Sequence, residues 1–139
     1  MVATYNALIT LGDLKSFKQV LNYYNGANNR LVLNGWLGTL PNMVAQYFES
    51  EGYTVVVANN LDEIDLRSKS ADACILWYAY PTNFYGVDVF GAHFAHYRKR
   101  NEGYIAYNVG RYGIETFKWA SDYGELGQRY CPIGVFIYK

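Results

Sequence analysis

Apolar residues in the first third of the chain recur at helical spacing. In "VATYNALITLG", residues 2 to 12, Ala3, Asn6 and Ala7 stand among apolar neighbours without strand alternation, and the run stops at Gly12. "LKSFKQVLNYYNG" is more regular, with Phe17, Val20, Leu21 and Tyr24 at i, i+3, i+4 and i+7 and Asn25-Gly26 as a stop. In "GTLPNMVAQYFESEG", Thr39 is placed to cap, Pro41 suits a first turn and Gly52 ends the run. Three helices are predicted.

After Gly52 the period changes. "YTVVVAN" (53–59) and "DACILWYAY" (72–80) are nearly continuous apolar runs, which predicts strands covered on both faces. Between them "NLDEIDLRSK" reads as a short amphipathic helix or turn. "PTNFYGVDVFG" (81–91), with a proline, an asparagine and two glycines, reads as a loop. It leads into "GAHFAHYRKRNEGYIAYNVG" (91–110), a hairpin pattern. A short helix near Ser121 to Gln128 and a last strand, "IGVFIY" (133–138), follow. The 15 tyrosines lie mostly in this second half and agree with strand propensity. Helices first and strands afterwards predict an α+β fold, with helices packed on a mainly antiparallel sheet.

Composition narrows the options. A chain of 139 residues, 51% hydrophobic and 17% charged, can bury a real core and corresponds to one domain. Its 12 basic and 12 acidic residues cancel, which removes the charge footprint of a dedicated nucleic-acid binder. The basic run "YRKR" (97–100) sits beside a turn and reads as a solvated hairpin tip. Two cysteines, Cys74 and Cys131, exclude a disulfide framework and a four-cysteine zinc site. No stretch approaches the ~20 apolar residues of a membrane-spanning helix. The chain reads as soluble; compartment and oligomeric state are not fixed by it.

The hairpin carries the candidate chemistry. On a strand, His93, Ala95 and Tyr97 share one face, while Phe94 and His96 share the other. A hairpin loop with an even number of residues, as in turns built on "RKRN" or "RNEG", puts His93 on the face of Asn108; an odd loop would join His96 to Asn108 instead. An asparagine carbonyl that holds one ring nitrogen of a histidine fixes its tautomer and orientation, as general acid–base work requires. The ordinary alternative is two polar residues facing each other near water.

Other constellations are weaker. His93, His96 and Asp88 do not make a metal site, and no phosphate loop exists because "LNGWLG" lacks the lysine and the strand-to-helix setting. Neither a metal nor a cofactor is expected. Cys74 lies in an apolar run and reads as an inert core thiol. Cys131 precedes Pro132, which lacks the N–H that an oxyanion would need.

With these pieces in order, the chain resembles papain-like cysteine peptidases, in particular the compact bacterial branch related to bacteriocin leader peptidases. "VATYNALITLG" and "SFKQVLNYY" are similar to the family's central helix and the next one, "NGWLGTLPNMVAQYFESEGYTVVV" to its Gly-rich segment, helix and strand, and "GAHFAHYRKRNEGYIAYNVG" to its histidine strand and hairpin. The resemblance covers nearly all of the chain. It implies a papain-like fold, a peptide or protein substrate, His93 as general base and Asn108 as its orienting partner.

The family's nucleophilic cysteine should stand just before the first helix, where this sequence reads Met1-Val2-Ala3, and its oxyanion glutamine further upstream. Two expectations follow. Either Met1 is an internal methionine of a longer thiol hydrolase, which an uncapped helix opening at residue 2 favours. Or the chain is a pseudoenzyme that keeps the cleft for binding. A further alternative is a binding module whose surface around Trp36, Trp77 and Trp119 takes a peptide or glycan. For those tryptophans the plain alternative is core packing.

Overall fold

The computed structural model describes residues 1–26, 39–100, 103–107, 114–117 and 130–139. Among the described residues four helices lie on one antiparallel sheet. The first helix, α1 (Val2–Leu11), buries Ala3, Ala7, Leu8 and Leu11. Gly12 ends it in the left-handed region at φ 75°, and its neighbour's N–H reaches back to Leu8 O at 2.9 Å. In α2 (Phe17–Asn25), Ser16 and Gln19 form a reciprocal capping box, and Val20 and Tyr24 face the core. Pro41 opens α3 (Pro41–Ser50) as expected, but the cap position belongs to Leu40 and no side chain caps it. Thr39 is buried instead. The proline fixes the first helical φ, which sets the boundary one residue later than the threonine suggested.

The strands are β1 (Thr54–Ala58), β2 (Ala73–Phe84), β3 (Val87–Arg100), β4 (Gly103–Tyr107), β5 (Ile114–Phe117) and β6 (Tyr130–Tyr138), with α4 (Leu61–Ser68) between β1 and β2. They form a single sheet in the order β1-β6-β2-β3-β4-β5, and every pairing is antiparallel. The α+β architecture with a mainly antiparallel sheet is therefore what the chain adopts. Among the described residues no helix is long and apolar enough to cross a membrane.

The two faces of the sheet are covered by different helices. Ala73, Ile75, Val135 and Ile137 pack under α1, α2 and α3, with Phe94 at the margin. Cys74, Leu76, Tyr78, Ala95, Tyr97 and Phe136 pack with Ile64 of α4 on the other side. Ser68 Oγ, which donates to Ile64 O at 2.6 Å, also bonds Tyr97 Oη at 2.7 Å and fastens α4 to β3. So β2 is covered on both faces, as its apolar run predicted. β1 is covered less deeply: Val55 packs on the α1–α3 side and Val56 on the α4 side, both half-buried, while Val57 is exposed and Ala58 is buried.

The largest correction concerns residues 81–91, read as a loop. They are strand, because β2 continues through Pro81 to Phe84 and β3 starts at Val87. Tyr85 (φ 50°) and Gly86 (φ 84°) form the two-residue turn, with Gly86 N donating to Asn83 Oδ1 at 2.8 Å. Positive φ at both turn positions matches the right-handed twist of the strands. Pro81 lies beyond Ala79–Tyr130, the last described β2–β6 pair, so among the described residues its missing N–H breaks no ladder bond to β6. Tyr85→Asn is expected to stabilise the fold by about 0.5 kcal/mol, since asparagine accepts positive φ more readily; an upward shift in Tm is the check.

Trp77 is half-buried on β2. Trp36, Trp119 and the expected helix at Ser121 to Gln128 lie outside the described residues.

Candidate functional site

β3 carries both histidines, and strand alternation sends them to opposite sides of the sheet. Its register against β2 is unbroken from Tyr97–Cys74 to Val87–Phe84, so no bulge intervenes. His93 pairs directly with Tyr78 and their rings lie 5.7 Å apart, on the face that α4 covers. His96 pairs with Ile75 and points toward α1. The cleft expected between the start of the first helix and the His93 strand is thus not on the face where α1 packs; that face presents Phe94 and His96. The helix settles on the side of β2 and β3 that offers Ala73 and Ile75, and alternation then carries His93 away from it.

The β3–β4 turn closes with Arg100 opposite Gly103, the "RNEG" register. Two positions separate the strands, so the loop is even, and Tyr97 stands opposite Ala106. Odd positions of β3 therefore face even positions of β4, the parity that the His93–Asn108 pair requires. Asn108 itself lies outside the described residues.

His96 has a complete set of partners, which the sequence did not reveal. Its Nδ1 lies 2.8 Å from Cys74 O, and a carbonyl only accepts, so Nδ1 carries the proton. Nε2 is then an acceptor, and Thr10 Oγ1 at 2.7 Å donates to it. The ring stacks on Tyr107 with centroids 5.6 Å apart, and the residue is 1% exposed. Burial, and secondarily Arg98, holds its pKa down at about 4 in spite of the Cys74 carbonyl bond. A neutral, buried imidazole with both nitrogens engaged is not placed to exchange protons with a substrate. Its role is to lock the last turn of α1 onto the sheet. The partners Thr10 and His96 are 86 residues apart, and no local pattern links them.

The described thiol, Cys74, is buried on the α4 face, and desolvation pushes its pKa up to about 12. It stays protonated at neutral pH and is no nucleophile. The side chain of Cys131 lies outside the described residues. Among the described residues no group of three histidine, cysteine or carboxylate side chains is arranged to hold a metal. A shallow hollow of about 380 Å³ beside β1, lined by Leu40, Pro41, Asn42, Val57, Asn59 and Ile133, contains no titratable side chain.

Away from the histidines, Lys15 bridges Asp13 (3.3 Å) and Glu51, and Tyr53 Oη donates to Asp13 at 3.2 Å. This network ties the α1–α2 turn to the end of α3. The Glu51 hydrogen bond is the main reason the Lys15 pKa is raised.

No family model matches the chain, and no curated protein matches it in sequence.

Proposed function

We propose that this chain is a cysteine-peptidase-like domain of papain-like architecture that binds peptide without cleaving it. The observation that carries the reading is the separation of the parts of a hydrolase: His93 faces away from α1, and the described thiol is buried and held protonated. Nucleophilic catalysis needs the base within hydrogen-bond reach of an ionisable nucleophile. What remains is a half-buried histidine beside Tyr78 at the root of the long β2–β3 hairpin.

A second reading is favoured by the even β3–β4 loop. In it a longer parent hydrolyses peptide bonds through a Cys-His-Asn mechanism, with His93 as base, Asn108 as its holder and the cysteine encoded before residue 1. The thiolate would then have to approach His93 from the end of the sheet rather than across the α1 face.

The purified 139-residue chain is expected to release no product from a mixed fluorogenic peptide library, with or without iodoacetamide. Activity that iodoacetamide removes and Cys131→Ala abolishes would sink the non-cleaving reading. The DNA upstream of the Met1 codon, read in frame, separates the two: an encoded glutamine followed by a cysteine-glycine pair supports the hydrolytic parent.

A further inference from the structure

Beyond Ala79 the described residues pair β2 with β3 alone, as a ribbon. Residues 83 to 89 at its end are all exposed. An isolated ribbon is marginally stable in water, yet this one is built to stay in shape. Asn83 Nδ2 donates to Asp88 Oδ1 at 2.9 Å across the strands, and Asn83 Oδ1 takes the Gly86 N–H. The polar bonds lie on one face of the ribbon. The other face carries the cross-strand pair Phe84–Val87, with Val89 next along β3. Phe84 is 64%, Val87 62% and Val89 38% exposed, and Tyr85, 92% exposed, sets its ring edge-on to Phe84 with centroids 4.7 Å apart.

That apolar face is continuous with the one that presents His93. Following the register inward from Phe84–Val87, every second pair leads to Tyr78–His93, and Val89 and His93 share that side of β3. Gly91 contributes no side chain between Val89 and His93. From His93 to Val87 is roughly 20 Å at strand rise, the span of about six extended residues.

Three occupants compete for this face. A second copy of the chain would need about 800 Å² per partner for a stable contact, whereas the four exposed side chains present on the order of 500 Å². A lipid surface would meet the tip end-on and draw the Asp88 carboxylate, at the same level on the opposite face, into an apolar layer at high cost. From residue 81 to residue 97 there is no lysine or arginine to attract anionic headgroups. An extended peptide avoids both problems: laid along one face, it covers Phe84, Val87 and Val89 with side chains at its own two-residue spacing and leaves Asp88 in water.

We infer that the apolar face of the β2–β3 ribbon is a docking surface for an extended peptide segment with apolar side chains at alternate positions, running from Phe84 toward His93. This rests on reading the chain as a peptide-binding domain. The test is fluorescence anisotropy with a labelled decapeptide in which leucine alternates with serine, against an all-serine decapeptide. Wild type is expected to bind the first and not the second. Phe84→Ser, and independently Val87→Thr, which keeps strand propensity, should each weaken binding about tenfold or more. Leu14→Ser, which removes an apolar side chain 98% exposed on the α1–α2 turn, should change nothing. Leucine-peptide binding that survives both ribbon variants overturns the docking surface but leaves the peptide-binding reading standing. Failure of wild type to bind the peptide overturns both. Ribbon-dependent binding to phosphatidylcholine vesicles, or ribbon-dependent dimerisation in sedimentation, overturns the assignment of the occupant.

Discussion

Gly134→Val is expected to lower the unfolding free energy by about 3 kcal/mol or more, the largest single-residue effect outside truncation of the core. Gly134 lies in β6 opposite Ala58 on one side and Leu76 on the other, so it is held from both neighbouring strands. A β-carbon there would overlap Phe136 Cζ and stand 2.5 Å from Cε2 and 3.3 Å from Ile64 Cγ1. Phe136 and Ile64 are both fully buried, and α4 closes over the ring. The ring therefore cannot swing aside without opening the α4 side of the core, and expelling it would forfeit much of the ~3–5 kcal/mol of a buried phenylalanine. A glycine replacement usually gains about 0.5–1 kcal/mol from a stiffer unfolded chain. The overlap outweighs that, so even Gly134→Ala should cost about 2 kcal/mol. Urea midpoints test it, and Gly134→Ala with Phe136→Leu should recover part of the loss because the clash is pairwise. A Gly134→Ala midpoint equal to wild type would show that the ring is not where the packing puts it.

The second expectation is a pH dependence set by His96. Its folded pKa, about 4, lies below the ordinary value of 6.5. The unfolded chain takes up a proton between those values and the folded chain does not. Stability is thus complete above about pH 6.5, falls as the pH drops to about 4, and changes no further through this residue below that. The shift corresponds to about 3 kcal/mol. His96→Gln keeps a side chain able to reach the Cys74 carbonyl but cannot titrate. Its unfolding free energy should start lower at pH 7 and lose about 3 kcal/mol less than wild type between pH 7 and pH 4. Every other side chain is common to both proteins, so the difference between the curves isolates the histidine. Parallel curves would remove His96 as the acid-sensitive lock.

The two cases show where sequence reading reaches and where it stops. Helix ends and turns depend on neighbours in the chain, and α1, α2 and α3 stop where Gly12, Gly26 and Gly52 were read as breakers, within a residue or two. Hairpin parity is also local, and the loop between Arg100 and Gly103 is the even "RNEG" one of the alternatives that the turn residues left open. The ribbon was not, because Pro81, Asn83 and Gly86 are loop-formers in isolation. They fit a strand here through the long pairing of β2 with β3 and the need for positive φ at the turn. His96, on the face opposite His93, is the buried histidine, held there by Thr10 in a contact no periodicity encodes. Which side of the sheet α1 would choose was equally out of reach, and that choice decides what His93 can do.

The position of β6 between β1 and β2 has a temporal consequence. Synthesis delivers β1 by Ala58, but its partner starts at Tyr130, and Thr54 pairs with Tyr138. At ribosomal speed the wait is on the order of ten seconds. Through that interval α1, α2 and α3 can gather over Ile75, but Val135 and Ile137 are missing from the layer beneath them, and the facing edges of β1 and β2 have nothing between them. The nascent chain is thus a sheet in two halves with open apolar edges, and its exposure to aggregation and to chaperones is greatest just before the strand that joins them emerges.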